Sequence, residues 1–246
     1  MRKLSITILA VFYIVNAISA QPDSKLIGQM KQLQRTYKEA ANLKFDIEYV
    51  YATESKPKVY LDSMKGNMTI NGSNYRLALN GTETIKNDRY IIHVFKDDKL
   101  IYLTKASAEN GNSSPGMLID SAFANISNLT FRLDSNASTK KLTLTFPQQS
   151  SYKTVVFTIN NATGYITNTR YVVKTEQLLE SRKQESILEK EYDEYGVVEA
   201  TFSNYRKVQE DTRSFDDKSF FVKNGNEYVP VAQFKDFSIF LGSPNL

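Results

Sequence analysis

Between Lys65 and Lys105, short alternating apolar segments are separated by turn residues at near-regular intervals, and that pattern restricts this part of the chain to an antiparallel meander. Asn71-Gly72-Ser73-Asn74 divides Met68-Thr69-Ile70 from Tyr75-Arg76-Leu77-Ala78-Leu79, and Asn-Gly accepts the positive φ angles of a tight hairpin turn. Asn80-Gly81 repeats the signal. Asn87-Asp88 precedes the run Tyr90 to Phe95, and Lys96-Asp97-Asp98-Lys99 leads into Leu100-Ile101-Tyr102-Leu103. The reading is four consecutive strands joined by short polar loops. Alternation sends Tyr75, Leu77 and Leu79 to one face and Arg76 and Ala78 to the other, so one face needs a cover. Either the protein's own helices fill that face or they leave room for an apolar guest.

The flanking segments supply candidates for the cover. From Ser24 to Asn42, Leu26, Ile27, Met30, Leu33 and Tyr37 recur at spacings of three and four with charged and amide residues between them, which predicts an amphipathic helix. Phe45, Ile47, Tyr49 and Tyr51 then alternate with polar neighbours as a strand that Pro57 closes, and Val59 to Met64 follows as another. Ala106 to Gly116 is a loop by composition. Met117 to Leu129 returns to helical spacing with little charge, a short helix able to plug the concave side of a sheet.

Strands are predicted again at Leu129–Leu133, Leu142–Phe146, Thr154–Ile159, Tyr165–Val173 and Val197–Tyr205. Lys174 to Glu194 is dense in charge of both signs and reads as an exposed excursion. The aromatic positions from Phe215 to Phe240 predict two closing strands, or a strand and a pad. With no repeat and no linker, residues 21–246 form one expected domain, with a C-terminal extension from about residue 223.

Residues 1–20 stand apart: Arg2 and Lys3, an apolar run from Leu4 to Val15, then Ala17-Ile18-Ser19-Ala20 have the layout of a secretory signal. The apolar run is short of the ~20 residues that span a bilayer. Its removal takes two of the 31 basic residues and none of the 27 acidic ones, leaving a nearly neutral chain. No basic stripe or RNA-binding motif points to nucleic acid. The absence of cysteine excludes a disulfide frame, a thiolate metal site and a thiol nucleophile, and fits export to a bacterial periplasm.

His93 is the only histidine, which excludes a two-histidine metal site or an HExxH protease. No GxSxG element, phosphate loop or dinucleotide fingerprint accompanies it. His93 sits among Ile91, Ile92, Val94 and Phe95 and reads as a structural imidazole. Asp97-Asp98 and Asp216-Asp217 read as turn acids rather than a calcium loop. Eight Asn-X-Ser/Thr sites, from Asn67 to Asn161, read as the composition of an Asn- and Thr-rich β protein rather than as glycosylation. Arg76 either borders the cavity, meeting a headgroup or carbonyl, or points to solvent opposite Tyr75 and Leu77.

The order of parts resembles the periplasmic outer-membrane lipoprotein carriers, the LolA-like family. Carrying residues are the glycine-led strand Gly66 to Ile70, the start Tyr75-Arg76-Leu77, Asn87-Asp88 before Tyr90 to Phe95, and Leu118-Ile119 with Phe123. Leu144-Thr145-Phe146-Pro147, Asp193-Glu194-Tyr195-Gly196, Phe202, Tyr205 and Phe215 to Phe221 continue the match, which spans roughly Ser24 to Val222. Asn71-Gly72-Ser73 replaces the family's Arg-Pro turn, 174–194 reads as an insertion, and the tail from Lys223 extends beyond the pattern.

The resemblance implies a mainly β fold with capping helices, a curved antiparallel sheet or incomplete β-barrel enclosing an apolar concave face. It also implies a non-catalytic, cofactor-free and metal-free periplasmic carrier of an acyl chain of a lipoprotein or lipid, exchanging cargo with membrane-bound donor or acceptor proteins. Phe45, Ile47, Tyr49, Tyr75, Leu77, Leu79, Leu118 and Phe123 are the expected lining, with Arg76 at its border. The alternative on the same fold is a protein-binding or sensor module.

Overall fold

The computed structural model describes residues 24–106, 129–178, 192–209, 212–225, 227–243 and 246. The predicted plug helix at Met117–Leu129, apart from Leu129 itself, and most of the charged excursion lie outside them. Helix α1 spans Ser24–Lys38 and buries Leu26, Met30, Leu33 and Tyr37, the stripe its spacing predicts. It ends four residues short of the predicted Asn42, which takes a positive φ of 52° and turns the chain into the first strand.

The strands are β1 (Leu43–Thr53), β2 (Tyr60–Asn71), β3 (Asn74–Leu79), β4 (Thr82–Lys86), β5 (Tyr90–Phe95), β6 (Leu100–Lys105) and β7 (Thr130–Ser135). There follow β8 (Thr139–Thr145), β9 (Tyr152–Asn160), β10 (Ile166–Lys174), β11 (Tyr195–Lys207), β12 (Phe221–Asn224), β13 (Glu227–Pro230) and β14 (Ser238–Leu241). Twelve of them form one curved sheet in the order β14-β6-β5-β4-β3-β2-β1-β11-β10-β9-β8-β7, and β12 pairs with β13 separately. The expected fold class is the one observed: mostly strand, with a sheet that curves without closing.

Three readings of the sequence need correction. The meander holds five strands, because Thr82–Lys86 pairs with both β3 and β5; its mixed polarity hides a strand whose Ile85 is the one buried apolar member. The segments Val59–Met64 and Gly66–Ile70 are one long β2. The sheet is also not wholly antiparallel, since β14 adds to β6 in parallel, Ser238 opposite Leu100 and Leu241 opposite Leu103.

Curvature has local causes. Register shifts occur in β1 against β11 and β2, and in β10 against β9, and each inserted residue bends its strand. Gly66 faces Ile47 and Leu79 where the strands draw together, and a Cβ there would overlap the Ala78 carbonyl oxygen.

The two larger apolar clusters lie on opposite faces, and a small third one joins Ala52, Val172 and Val197. On the face toward α1, here the inner face, the helix packs on β1–β3 and β8–β11 through Phe45, Ile47, Met68, Ile70, Tyr75, Leu142, Phe157 and Phe202. Pairing places Arg76, Glu83, Ile85, Ile92, Val94, Ile101 and Leu103 on the other, outer face. There the five aliphatic residues are fully buried under Phe220, Phe221, Tyr228, Phe234, Phe237 and Ile239. The aromatic tail is therefore a pad for the outer face of β4–β6 together with one strand of the main sheet.

A polar latch holds the pad. Asn87 Nδ2 donates to the Phe215 carbonyl at 3.0 Å and to Asp217 Oδ1 at 3.3 Å, while its Oδ1 accepts from the Arg89 and Tyr90 amides. Asp217, nearly buried, also pairs with Arg89. Replacing Asn87 with Ala takes these bonds from the Phe215 carbonyl and the Arg89 and Tyr90 amides and is expected to cost about 2–3 kcal/mol. Urea denaturation should show that loss, and limited proteolysis should find the segment after Phe215 newly sensitive; unchanged stability would mean the latch carries no load.

Candidate functional site

The inner face is the candidate site, built around a seam of phenol rings. Strand alternation would put Asn204 of β11 inward after Val198, Ala200 and Phe202. Instead Asn204 has φ 54°, the register against β1 shifts, and Tyr205 turns inward while Asn204 Nδ2 donates to Asp46. Tyr205 stacks between Tyr165, at 4.7 Å, and Phe45, at 4.8 Å, and α1 brings Tyr37 onto the same group.

Their hydroxyls form a directed chain. Tyr205 donates to the Ile166 carbonyl at 2.6 Å, so Tyr37 donates to the Tyr205 oxygen at 3.0 Å and accepts from the Ile166 amide at 2.9 Å. Burial pushes both phenols well above the ordinary tyrosine range, so both remain neutral and the chain of bonds does not titrate under physiological conditions.

The predicted lining residues divide by position. Phe45, Ile47 and Tyr75 are buried in the cluster that α1 covers; Tyr49 and Leu77 pack partly buried against it. Leu79 is half-buried farther along the same face. Leu118 and Phe123 lie outside the described residues. Arg76 stands on the outer face, where its guanidinium meets Glu83 at 2.6 Å, and does not line the concavity.

Other inner-face groups escape a reading of the sequence. Lys86 lies opposite Tyr75 on the same face; burial lowers its pKa, while Asp88 acts in the opposite sense. Thr169 and Tyr171 of β10 sit on the inner floor, both deeply buried, and beyond each other their hydroxyls have no hydrogen-bond partner among the described residues. Only pairing to Phe157 and Ala200, and to Val155 and Val198, reveals their side. Toward β6 the face carries His93 between Phe95 and Tyr102. Thr84 Oγ1 lies 3.0 Å from His93 Nδ1.

Where α1 meets β8 and β9, a cavity of about 60 Å³ is bounded by Gln29, Gln32, Thr36, Lys140 and Asn160. With Leu33 and Ile159 also in its wall it is of mixed polarity, and it is far too small for a chain of methylenes. The helix thus fills its end of the concavity. Among the described residues, no group of three His, Asp or Glu side chains could hold a metal ion, and no helix is long and apolar enough to cross a membrane.

No protein-family profile and no curated protein matches the chain. Among solved structures it is similar to an uncharacterized conserved protein from Thermus thermophilus, at 6% identity over 78% of this chain and 92% of that one, with a TM-score of 0.46. A LolA superfamily protein from Nitrosomonas europaea aligns at 9% identity over 79% and 98%, TM-score 0.36. The Mycobacterium tuberculosis lipoprotein LppX aligns at 12% over 76% and 98%, TM-score 0.37.

Two outcomes follow from the site. Tyr37→Phe strands the Ile166 amide in the interior and should destabilise the protein by about 1–3 kcal/mol in urea titrations; a wild-type midpoint would show that the hydroxyl chain contributes nothing. Burial lowers the His93 pKa below the free imidazole's 6.5, so the folded protein binds fewer protons there than the unfolded chain. Stability therefore rises with pH up to that value and is lost as the pH falls below it. His93→Gln should flatten this dependence above the range where carboxyls protonate, and an unaltered profile would assign the acid loss elsewhere.

Proposed function

We propose that this protein is an exported, non-catalytic carrier that holds an acyl chain of a lipid or lipoprotein on the inner face of its half-barrel, with α1 as a displaceable plug. The observation that carries this reading is the inner floor itself. Apolar and aromatic residues line it from Leu77 on β3 to Leu144 on β8, and a single amphipathic helix covers part of it among the described residues.

Magnitudes permit the exchange. Burying Leu26, Met30, Leu33 and Tyr37 contributes on the order of 1.5–3 kcal/mol each, or about 6–12 kcal/mol together. A ~14-carbon chain at about 0.8 kcal/mol per methylene contributes about 11 kcal/mol. Guest and helix compete on equal terms for the same surface. The Thr169 and Tyr171 hydroxyls, which among the described residues reach only each other, offer donors to an ester or carboxyl oxygen.

A second reading, strand addition by a protein partner, draws on β14. This edge strand leaves Phe240 59% and Leu241 44% exposed.

Native mass spectrometry of protein exported by its host and purified without detergent tests the carrier reading, followed by titration with myristate. A stoichiometric acyl adduct is expected. Because Tyr37→Phe loosens the plug, it should bind myristate several-fold more tightly while losing stability, and Tyr49→Glu should bind at least about tenfold more weakly. A clean apo mass that persists after lipid incubation would overturn the carrier and favour the edge-strand partner.

A further inference from the structure

The tail does not lie flush on the outer face. Over β5 and β6 it covers aliphatic residues without a gap, but over β3 and β4 it bridges a cleft of about 380 Å³, within the range of small-ligand sites. The floor is charged. Arg76 Nη2 meets Glu83 Oε2 at 2.6 Å and Lys96 Nζ meets Glu83 Oε1 at 2.7 Å, so one carboxylate is shared by two cations. Arg213, from the short 3₁₀ turn Thr212–Phe215, adds a third cation to the lining.

Two cations, Arg76 and Lys96, thus share one carboxylate, and Glu83 is only 13% exposed. Burial by itself would raise the Glu83 carboxyl, but hydrogen bonds from Lys96 and Arg76 outweigh it and hold the group ionised. The opposite wall is aromatic: Phe220 and Phe234 stack at 5.7 Å with 17° between their planes. Beside them Gln233 donates to the Ser219 carbonyl at 2.7 Å and fixes the tail's turn over the opening.

We propose that this cleft is a second binding site, for a small soluble organic anion whose phosphate or carboxylate meets the Arg76–Lys96–Arg213 cations and whose apolar body lies on the Phe220–Phe234 wall. Glu83 is then an internal competitor that occupies two of the cations until the ligand's own oxygens arrive. This site is on the face opposite the proposed acyl site and does not depend on it. A guanidinium offers a planar fork of donors, of which the Glu83 contact uses one nitrogen, so Arg76 retains the geometry to grip a tetrahedral or carboxylate anion.

Calorimetric titration with phenyl phosphate at low salt tests the assignment, with inorganic phosphate and benzyl alcohol alongside. Phenyl phosphate is expected to bind with a dissociation constant below about 1 mM, inorganic phosphate about tenfold more weakly, and the neutral alcohol not at all. Arg76→Gln and Lys96→Gln should each weaken phenyl phosphate by about tenfold or more. Glu83→Gln should strengthen it by a similar factor, since the competitor is gone. That opposite sign separates a ligand site from a structural ion cluster. The proposal fails if phenyl phosphate does not bind the wild-type protein, if Glu83→Gln weakens binding as the cation variants do, or if only phosphatidic acid vesicles bind.

Discussion

Every strand presents half its residues to each face of the sheet, and here the face that must be kept dry changes sides. From β1 to β3 and from β8 to β11 most of the buried residues point toward α1, as in Phe45, Ile70, Phe157 and Phe202. From β4 to β6 they point the other way, as in Ile85, Ile92, Val94 and Ile101. The switch falls at β3, where Tyr75 is buried inward while its neighbour Arg76 faces out to Glu83. One cover cannot serve both sides. A helix at one end and an aromatic tail at the other are the consequence, and both candidate binding surfaces border the places where a cover stops.

What the amino-acid sequence discloses follows from period. Helix α1, the meander, the strands β8 to β11 and the turns at Asn71-Gly72 and Asn80-Gly81 all carry local signals, and alternation puts the covering helix on the correct face, that of Tyr75 and Leu77. The rest depends on long-range pairing. Tyr90-Ile91-Ile92-His93-Val94-Phe95 is apolar at nearly every position, so nothing local says that Ile92 and Val94 go to one side and His93 and Phe95 to the other. β4 stays hidden because Thr82, Glu83, Thr84 and Lys86 surround its one large apolar residue.

Single-residue departures are illegible for a different reason. The insertion at Asn204 reverses the side of Tyr205, and with it the whole phenol seam, yet no alternation rule contains a bulge. Its faint trace is the residue type, since asparagine tolerates the left-handed region better than most. Asp216-Asp217, which read as a pair of turn acids, prove divided in role. Asp216 caps the Lys218 amide at 3.0 Å, while Asp217 is buried against Arg89 and Asn87. The predicted lining residues on β1 and β3 can be sided by alternation alone, whereas Thr169 and Tyr171, not predicted, become visible only through their cross-strand neighbours.

The parallel addition of β14 to β6 sets the order in which the molecule can become complete. As the chain is made from its N-terminus, β4, β5 and β6 can pair early through short loops, but their outer isoleucines stay wet and the β6 edge stays unpaired. Ser238 must reach Leu100 before either is satisfied. Contacts so distant in sequence form slowly, and an apolar, unpaired edge is a template for other chains in the meantime. Until that pairing forms, the sheet has one covered side and one adhesive edge, and whatever shields that edge protects the folding chain from its neighbours.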